Sequence, residues 1–106
     1  MDKEIFQEFA SQVLSDAFNG NDREHLPERV NVALRNLEPY DDEETRQLQI
    51  LLRLIQKAGN DPEKAYHEGL LLRGLYDKDV RSINEHQNAI DELNFNELMQ
   101  SVNTKK

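Results

Sequence analysis

Five acidic residues lie in the seven positions from Glu38 to Glu44, directly before a run rich in leucine and isoleucine. Carboxylates this dense could hold a metal ion, act as an acid–base pair or attract a basic partner. A calcium loop needs oxygen ligands at alternate positions, a central glycine and a distal glutamate, and the stretch DDEETRQLQILL lacks that spacing. Consecutive acids on a helix also point in different directions, so they do not converge on one ion. The cluster therefore predicts a helix cap or a surface for a partner.

These two roles for the acids differ in what the side chains face. Acids in a first helical turn stabilise the helix by about 0.3–1 kcal/mol each when exposed, and Asp41 with Glu44 fits the reciprocal capping pattern. The alternative is that the same carboxylates meet a basic protein. The candidate partner-binding residues are Glu38, Tyr40, Asp41, Asp42, Glu43 and Glu44.

The histidines do not have metal-site spacing. His67-Glu68 begins like a zinc-protease helix, but Leu71 stands where the second histidine is required. Asp22 and His25 are spaced like half of a carboxylate-bridged di-metal site, and no second half occurs elsewhere. We therefore predict no metal ligands, and we expect each histidine at a surface or an edge.

Phosphate-binding and nucleophilic motifs are also incomplete. Gly69 and Gly74 have P-loop spacing, but Leu75 and Tyr76 replace the lysine and the hydroxyl residue that the motif requires. The serines have no nucleophile-elbow glycines around them. The sequence thus predicts a protein that is not an enzyme, with no catalytic residues and no cofactor.

Charge and composition narrow the classes of partner. The chain has 21 acids against 13 lysines and arginines, a net charge of −8, of which −6 falls in residues 1–53 and −2 in residues 54–106. Such a chain is repelled by nucleic acids and anionic membranes and attracted to basic proteins. It has no cysteine, and its opening residues are acidic and amphipathic, unlike a signal peptide. We expect a cytoplasmic protein that does not bind membranes.

Apolar residues recur at three- and four-residue spacing, and no sustained alternation indicates a strand. This pattern predicts an all-α fold, a compact single-domain array or bundle of five or six short helices in residues 1–102, followed by a frayed tail at 103–106. The predicted helices span about 3–18, 27–38, 43–58, 62–76, 79–93 and 95–102.

Local signals set these boundaries. Asn19-Gly20 ends the first helix, and Asp61 before Pro62 and Asp79 are predicted N-caps. The stretch Asn94-x-x-Glu97 resembles a capping box and predicts the start of the sixth helix. Gly69, inside the fourth helix, predicts that another helix packs closely against it.

The third helix is apolar on more than one side. Ile50 and Leu54 lie away from the face formed by its other leucines and isoleucines. They could be buried by the first and fourth helices, or they could form the face of a homo-oligomer such as a dimer.

Partner binding without catalysis is the function that these observations favour. We expect a partner with a basic surface, and the protein to be an inhibitor, an immunity or antitoxin-type protein, or an adaptor. The first alternative is a homo-oligomer whose function is assembly. The second is a helix-turn-helix nucleic-acid binder, which the acidic charge disfavours. Its candidate base-contacting residues are Arg81, Asn84, His86, Gln87 and Asn88.

Overall fold

Five α-helices account for most of the residues that the structure describes. The structure is a computed structural model that describes residues 2–104, and the side chains up to residue 102. The helices are α1 (Asp2–Asn19), α2 (Leu26–Leu37), α3 (Glu43–Gln56), α4 (Pro62–Asp77) and α5 (Val80–Thr104), with a one-turn 3₁₀ helix at Arg23–His25. No strand occurs in residues 2–104. The prediction of a compact all-α bundle is confirmed. None of the described helices is long and apolar enough to cross a membrane.

Aspartates cap three of the helices, and two of these caps are the residues that the sequence predicts. The Asp61 carboxylate accepts hydrogen bonds from the backbone N–H groups of Glu63 and Lys64, and Asp79 accepts one from Ser82. At α3 the cap is Asp42, which accepts from the N–H of Thr45 at 3.2 Å. The reciprocal pair of Asp41 with Glu44 is therefore wrong by one residue, because Asp41 precedes the cap.

The predicted break between a fifth and a sixth helix is wrong. Residues Val80–Thr104 form one continuous helix of 25 residues. Asn94 costs at most about 0.7 kcal/mol inside a helix relative to alanine, and neither glycine nor proline interrupts the segment. Glu97 makes an ion pair with Lys64 of α4 instead of closing a capping box. The backbone of residues 103 and 104 continues α5, and residues 105–106 lie outside the described chain, so the frayed tail at 103–106 stays a prediction.

The core is built mainly by α1 to α4. Its most deeply buried side chains come from α1, α2 and α3, while α4 contributes Ala65 and the partly buried Leu72. They include Val13, Leu26, Val30, Leu37, Leu52 and Ile55. Gly69 of α4 lies against Ala17 of α1, where a Cβ atom would stand 2.8 Å from the Ala17 carbonyl oxygen. The predicted close helix packing at Gly69 is confirmed.

The longest helix, α5, packs chiefly against α4. The Lys64 ammonium, on a side chain only 11% exposed, lies 2.6 Å from the Glu97 carboxylate and ties the start of α4 to the C-terminal part of α5. The molecule measures 52 × 34 × 22 Å and its radius of gyration is 15.0 Å, above the roughly 13 Å typical of a chain of about 100 residues. The bundle is therefore elongated.

Candidate functional site

The turn between α2 and α3 carries the acidic cluster, and Asp42 fixes it to α1. The Thr45 hydroxyl donates to the Asp42 carboxylate at 2.8 Å, and the Gln7 amide donates to the Thr45 hydroxyl at 2.9 Å. Lys3 lies 3.7 Å from the same carboxylate. The hydrogen bond from the Thr45 hydroxyl holds the pKa of Asp42 below its ordinary value. Asp42 therefore caps α3 and joins it to α1.

Tyr40 and Gln49 hold the same turn from two other sides. The Tyr40 ring is half-buried and packs on Phe6 of α1, with a ring-centroid separation of 6.4 Å. The buried Gln49 amide donates to the Leu37 carbonyl at 2.9 Å and satisfies the end of α2. Both contacts fix the path of the chain, so the exposed acids project from a rigid support.

Four of the six candidate partner-binding residues are exposed. Glu38 and Asp41 stand in the turn, and Glu43 and Glu44 stand in the first turn of α3. None of the four forms an ion pair with another residue in the described part of the chain. Within the described residues their carboxylates are therefore in direct contact with no basic side chain.

A groove of about 640 Å³ runs between α2 and α3 and begins at this turn. Glu38, Tyr40 and Asp41 line its turn end, while Asn31 and Gln56, which are hydrogen-bonded at 2.9 Å, lie at its other end. The groove is open and mostly polar. Three of the predicted residues thus share one concave surface, whereas Asp42, Glu43 and Glu44 do not line it.

Three arginines line the same groove. Arg35 comes from α2, and Arg46 and Arg53 come from α3. All three are exposed, and among the described residues none of them forms an ion pair. Arg46 and Arg53 are seven residues apart, so they lie on one face of α3 about 10 Å from each other along its axis. The site therefore presents charges of both signs.

Sequence reasoning missed these arginines because the net charge of the first half of the chain is acidic. A signal was present in the seven-residue spacing of Arg46 and Arg53. The contribution of Arg35 depends on the antiparallel packing of α2 and α3, which residue spacing within one helix does not reveal.

The candidate oligomer face on α3 is only partly exposed. Ile50 is 57% exposed, so the alternative that α1 and α4 bury it is wrong. Leu54 is half-buried. On α3 this leaves a single large apolar side chain in solvent, too small a surface to form an interface alone.

His67 of α4 and His86 of α5 form a pair that sequence reasoning also missed. Their Nδ1 atoms are 2.9 Å apart, and both rings are half-buried. Burial, and to a lesser degree the neighbouring His86, lowers the pKa of His67. Both histidines lie within three helical turns of the α4–α5 connection, which is the sequence signal for their proximity.

None of the histidines belongs to a metal-binding cluster within the described residues. His25 instead lies 2.8 Å from the Asp22 carboxylate, on the surface. That contact raises the pKa of His25 and lowers the pKa of Asp22. The spacing of these two residues reflects a local ion pair.

Comparison with known proteins finds no relative of this chain. The chain matches no protein family, no curated protein and no solved structure. Function is therefore argued from the geometry and charge of the site.

Proposed function

We propose that this protein is a non-catalytic binding protein that holds a protein partner in the groove between α2 and α3. The observation that carries the proposal is the exposed acidic turn, rigidly supported and continuous with that groove. Basic side chains of the partner meet Glu38 and Asp41 at the turn end. An inhibitor, an immunity or antitoxin-type protein, or an adaptor would work through such a surface.

The arginines of the groove place a second requirement on the partner, in addition to a basic surface. Arg46 and Arg53 lie along the wall that α3 contributes, and Arg35 lies opposite on α2. Guanidinium groups bind carboxylates in a planar, two-point geometry. The segment that enters the groove therefore carries basic side chains next to the turn and at least one carboxylate further along.

Rigid support favours the binding role because it lowers the entropic cost of association. The backbone around the acids is fixed by Asp42, Tyr40 and Gln49, so few dihedral angles become ordered when a partner docks. Unpaired surface charges also speed encounter with a partner of opposite charge, and salt weakens that attraction.

Comparative affinity capture tests the proposal. The tagged protein is incubated with a lysate of its native host at low and at moderate salt, beside a variant with the four exposed acids reversed. Those substitutions are Glu38→Lys, Asp41→Lys, Glu43→Lys and Glu44→Lys, with Asp42 left intact because it caps α3. We expect one stoichiometric basic protein that the wild type retains at low salt and releases as salt rises. The variant should bind it at least tenfold more weakly.

A matched control separates a local site from a general charge effect. Reversal of four exposed acids elsewhere changes the net charge by the same amount and leaves the groove intact. The control substitutions are Glu4→Lys, Glu8→Lys, Glu24→Lys and Glu85→Lys. If both variants lose the partner equally, or if neither does, the groove is not the binding site.

A second candidate function is self-assembly. It is favoured by large apolar side chains that stand in solvent. These are Ile50 on α3 and, at the end of α5, Phe95, Leu98, Met99 and Val102. Ile50 alone is too small for an interface, so self-assembly would use the α5 residues.

A further inference from the structure

The two walls of the α2–α3 groove carry the opposite charge from the chain as a whole. The α2 wall has no acidic residue between Glu28 and Glu38, and the α3 wall has none between Glu44 and Asp61. The whole chain has 21 acids in 106 residues, so two facing segments without an acid set this surface apart. Salt screens exposed charges beyond about 8 Å at physiological ionic strength. An anion inside the groove is therefore attracted by the nearby arginines despite the acidic net charge.

Two hydrogen bonds between α2 and α3 fix the register of the two walls. The Gln49 amide donates to the Leu37 carbonyl at 2.9 Å. The Gln56 amide donates to the Asn31 side chain, also at 2.9 Å. In both bonds the two residues are almost equally far along the chain from the start of α3 at Glu43. Residues at equal distances from that point therefore lie level with each other across the groove.

This register places Arg35 and Arg53 on opposite walls of the groove at nearly the same level. The α3 residues level with Arg35 are Leu51 and Leu52, so the offset of Arg53 along the helix axis is at most about 3 Å. Both arginines line the groove and are exposed, and neither forms an ion pair within the described residues. Arg46 lies further along, level with the acidic turn. We call Arg35 and Arg53 the arginine pair.

Two guanidinium groups on opposite walls fit an anion with more oxygens than one carboxylate has. A carboxylate has one charge and two oxygens, and a single guanidinium in two-point geometry occupies both oxygens. A phosphate monoester at neutral pH has close to two charges and three acceptor oxygens, so both guanidiniums can bind it together. The side-chain amides of Asn31 and Gln56 line the groove one helical turn further along and carry additional N–H donors.

We propose that the arginine pair binds a doubly charged oxyanion of the phosphate class. The source of the oxyanion is a free phosphate ion or a phosphorylated side chain of a protein that enters the groove. Binding of the oxyanion itself needs no partner, and only the second source rests on the proposed function. The carboxylates of Glu38 and Asp41 at the turn end repel a phosphate, so they confine it to the part of the groove that the arginine pair lines.

An NMR titration of the isotope-labelled protein with inorganic phosphate, at constant ionic strength, tests the site. The side-chain Nε–H signals of Arg35 and Arg53 should shift together and saturate. We expect a dissociation constant of about 1–10 mM, because both side chains are exposed to water. Arg81 is the internal control, since it is an exposed arginine on α5 without an ion pair among the described residues. Its signal should not shift.

Single substitutions show whether both arginines take part. Arg35→Gln and Arg53→Gln should each raise the dissociation constant for phosphate about tenfold, because each removes one charge-assisted, two-point contact. Arg81→Gln removes the same charge elsewhere and should leave the constant unchanged. The backbone amide spectrum of each variant shows whether it is folded.

The variant with the four exposed acids reversed separates this site from the proposed function. It retains both arginines, so it should bind phosphate at least as tightly as the wild type, even where it no longer captures a protein. Loss of the protein partner and loss of the oxyanion are therefore distinct results.

Titration with N-acetyl-phosphoserine amide distinguishes the two sources of the oxyanion. Binding at least as tight as that of inorganic phosphate assigns the site to a phosphorylated side chain, and weaker binding assigns it to the free ion. Three results would overturn the proposal. The first is the absence of a saturable shift at Arg35 and Arg53 in the millimolar range. The second is an equal shift at Arg81, and the third is acetate binding as tight as that of phosphate.

Discussion

His67 and His86 place two ionisable rings in contact across the interface between α4 and α5. With their Nδ1 atoms 2.9 Å apart, one ring can donate a hydrogen bond to the other only while at least one of them is neutral. Glu63 and Glu85 lie close enough to favour the charged form of His67, whereas Arg23 and His86 oppose it. Burial is the largest influence, and its net result is a lowered pKa of His67.

The sign of the resulting pH dependence follows from linkage. Because the pKa of His67 is lower in the folded chain, the unfolded chain binds the proton first as pH falls. The part of the stability that depends on His67 is fully present above the unfolded pKa of about 6.5. It decreases as pH falls through that value. His25, whose pKa is raised by Asp22, contributes in the opposite direction: its stabilisation is present below that value and lost as pH rises.

We predict that the wild type loses more stability than His67→Gln between about pH 8 and about pH 5.5, the range in which histidine titrates. Urea unfolding of both proteins at the two pH values measures the change in the free energy of unfolding. The variant retains His25, so the difference between the two proteins reports on the His67–His86 pair. Equal pH dependence in both proteins would mean that the histidine pair does not control stability.

At the scale of helices, most helix ends could be predicted from the sequence. The packing of one helix against another mostly could not. Asp61, Asp79 and Gly20 mark helix ends because caps and left-handed residues act within one turn. Asn94 is ambiguous by the same logic, since asparagine caps helices but also tolerates their interior. The arginine-lined groove depends on how α2 and α3 pack, and no local pattern encodes that arrangement.

Gly69 tests the packing of α4 on α1. Gly69→Ala should destabilise the protein by roughly 1–3 kcal/mol despite the roughly 1 kcal/mol that alanine gains in helix propensity. The reason is that the new Cβ would stand 2.8 Å from the Ala17 carbonyl oxygen, a backbone atom that moves only if the helices separate. Chemical denaturation of the variant and the wild type measures the change in the free energy of unfolding.

Gly74→Ala is the comparison for that experiment. A Cβ at Gly74 would meet side-chain atoms of Ile83 and Ser82 at 3.3 Å, and these atoms can shift by a few tenths of an ångström. We expect a smaller loss than for Gly69→Ala. A Gly69→Ala protein as stable as the wild type would show that α1 and α4 are not in close contact.

At the scale of the whole molecule, two surfaces lie on different helices. The acidic turn and its groove belong to α2 and α3. The exposed apolar residues Phe95, Leu98, Met99 and Val102 lie at the end of α5. The −8 charge of the chain could be predicted to attract basic partners, but the sequence did not show that arginines share the site. Nor did it show that the apolar residues after Asn94 would stand in solvent, because the pattern at Asn94-x-x-Glu97 predicts a separate sixth helix there.

The most direct test of the binding site is an NMR titration of the isotope-labelled protein with its captured partner. We predict that backbone amide shifts change around Arg35, Arg46 and Arg53 and in the acidic turn from Glu38 to Glu44, while residues 95–102 are unaffected by the partner. Changes confined to α4 and α5, with the groove unaltered, would contradict the account and place the binding site elsewhere.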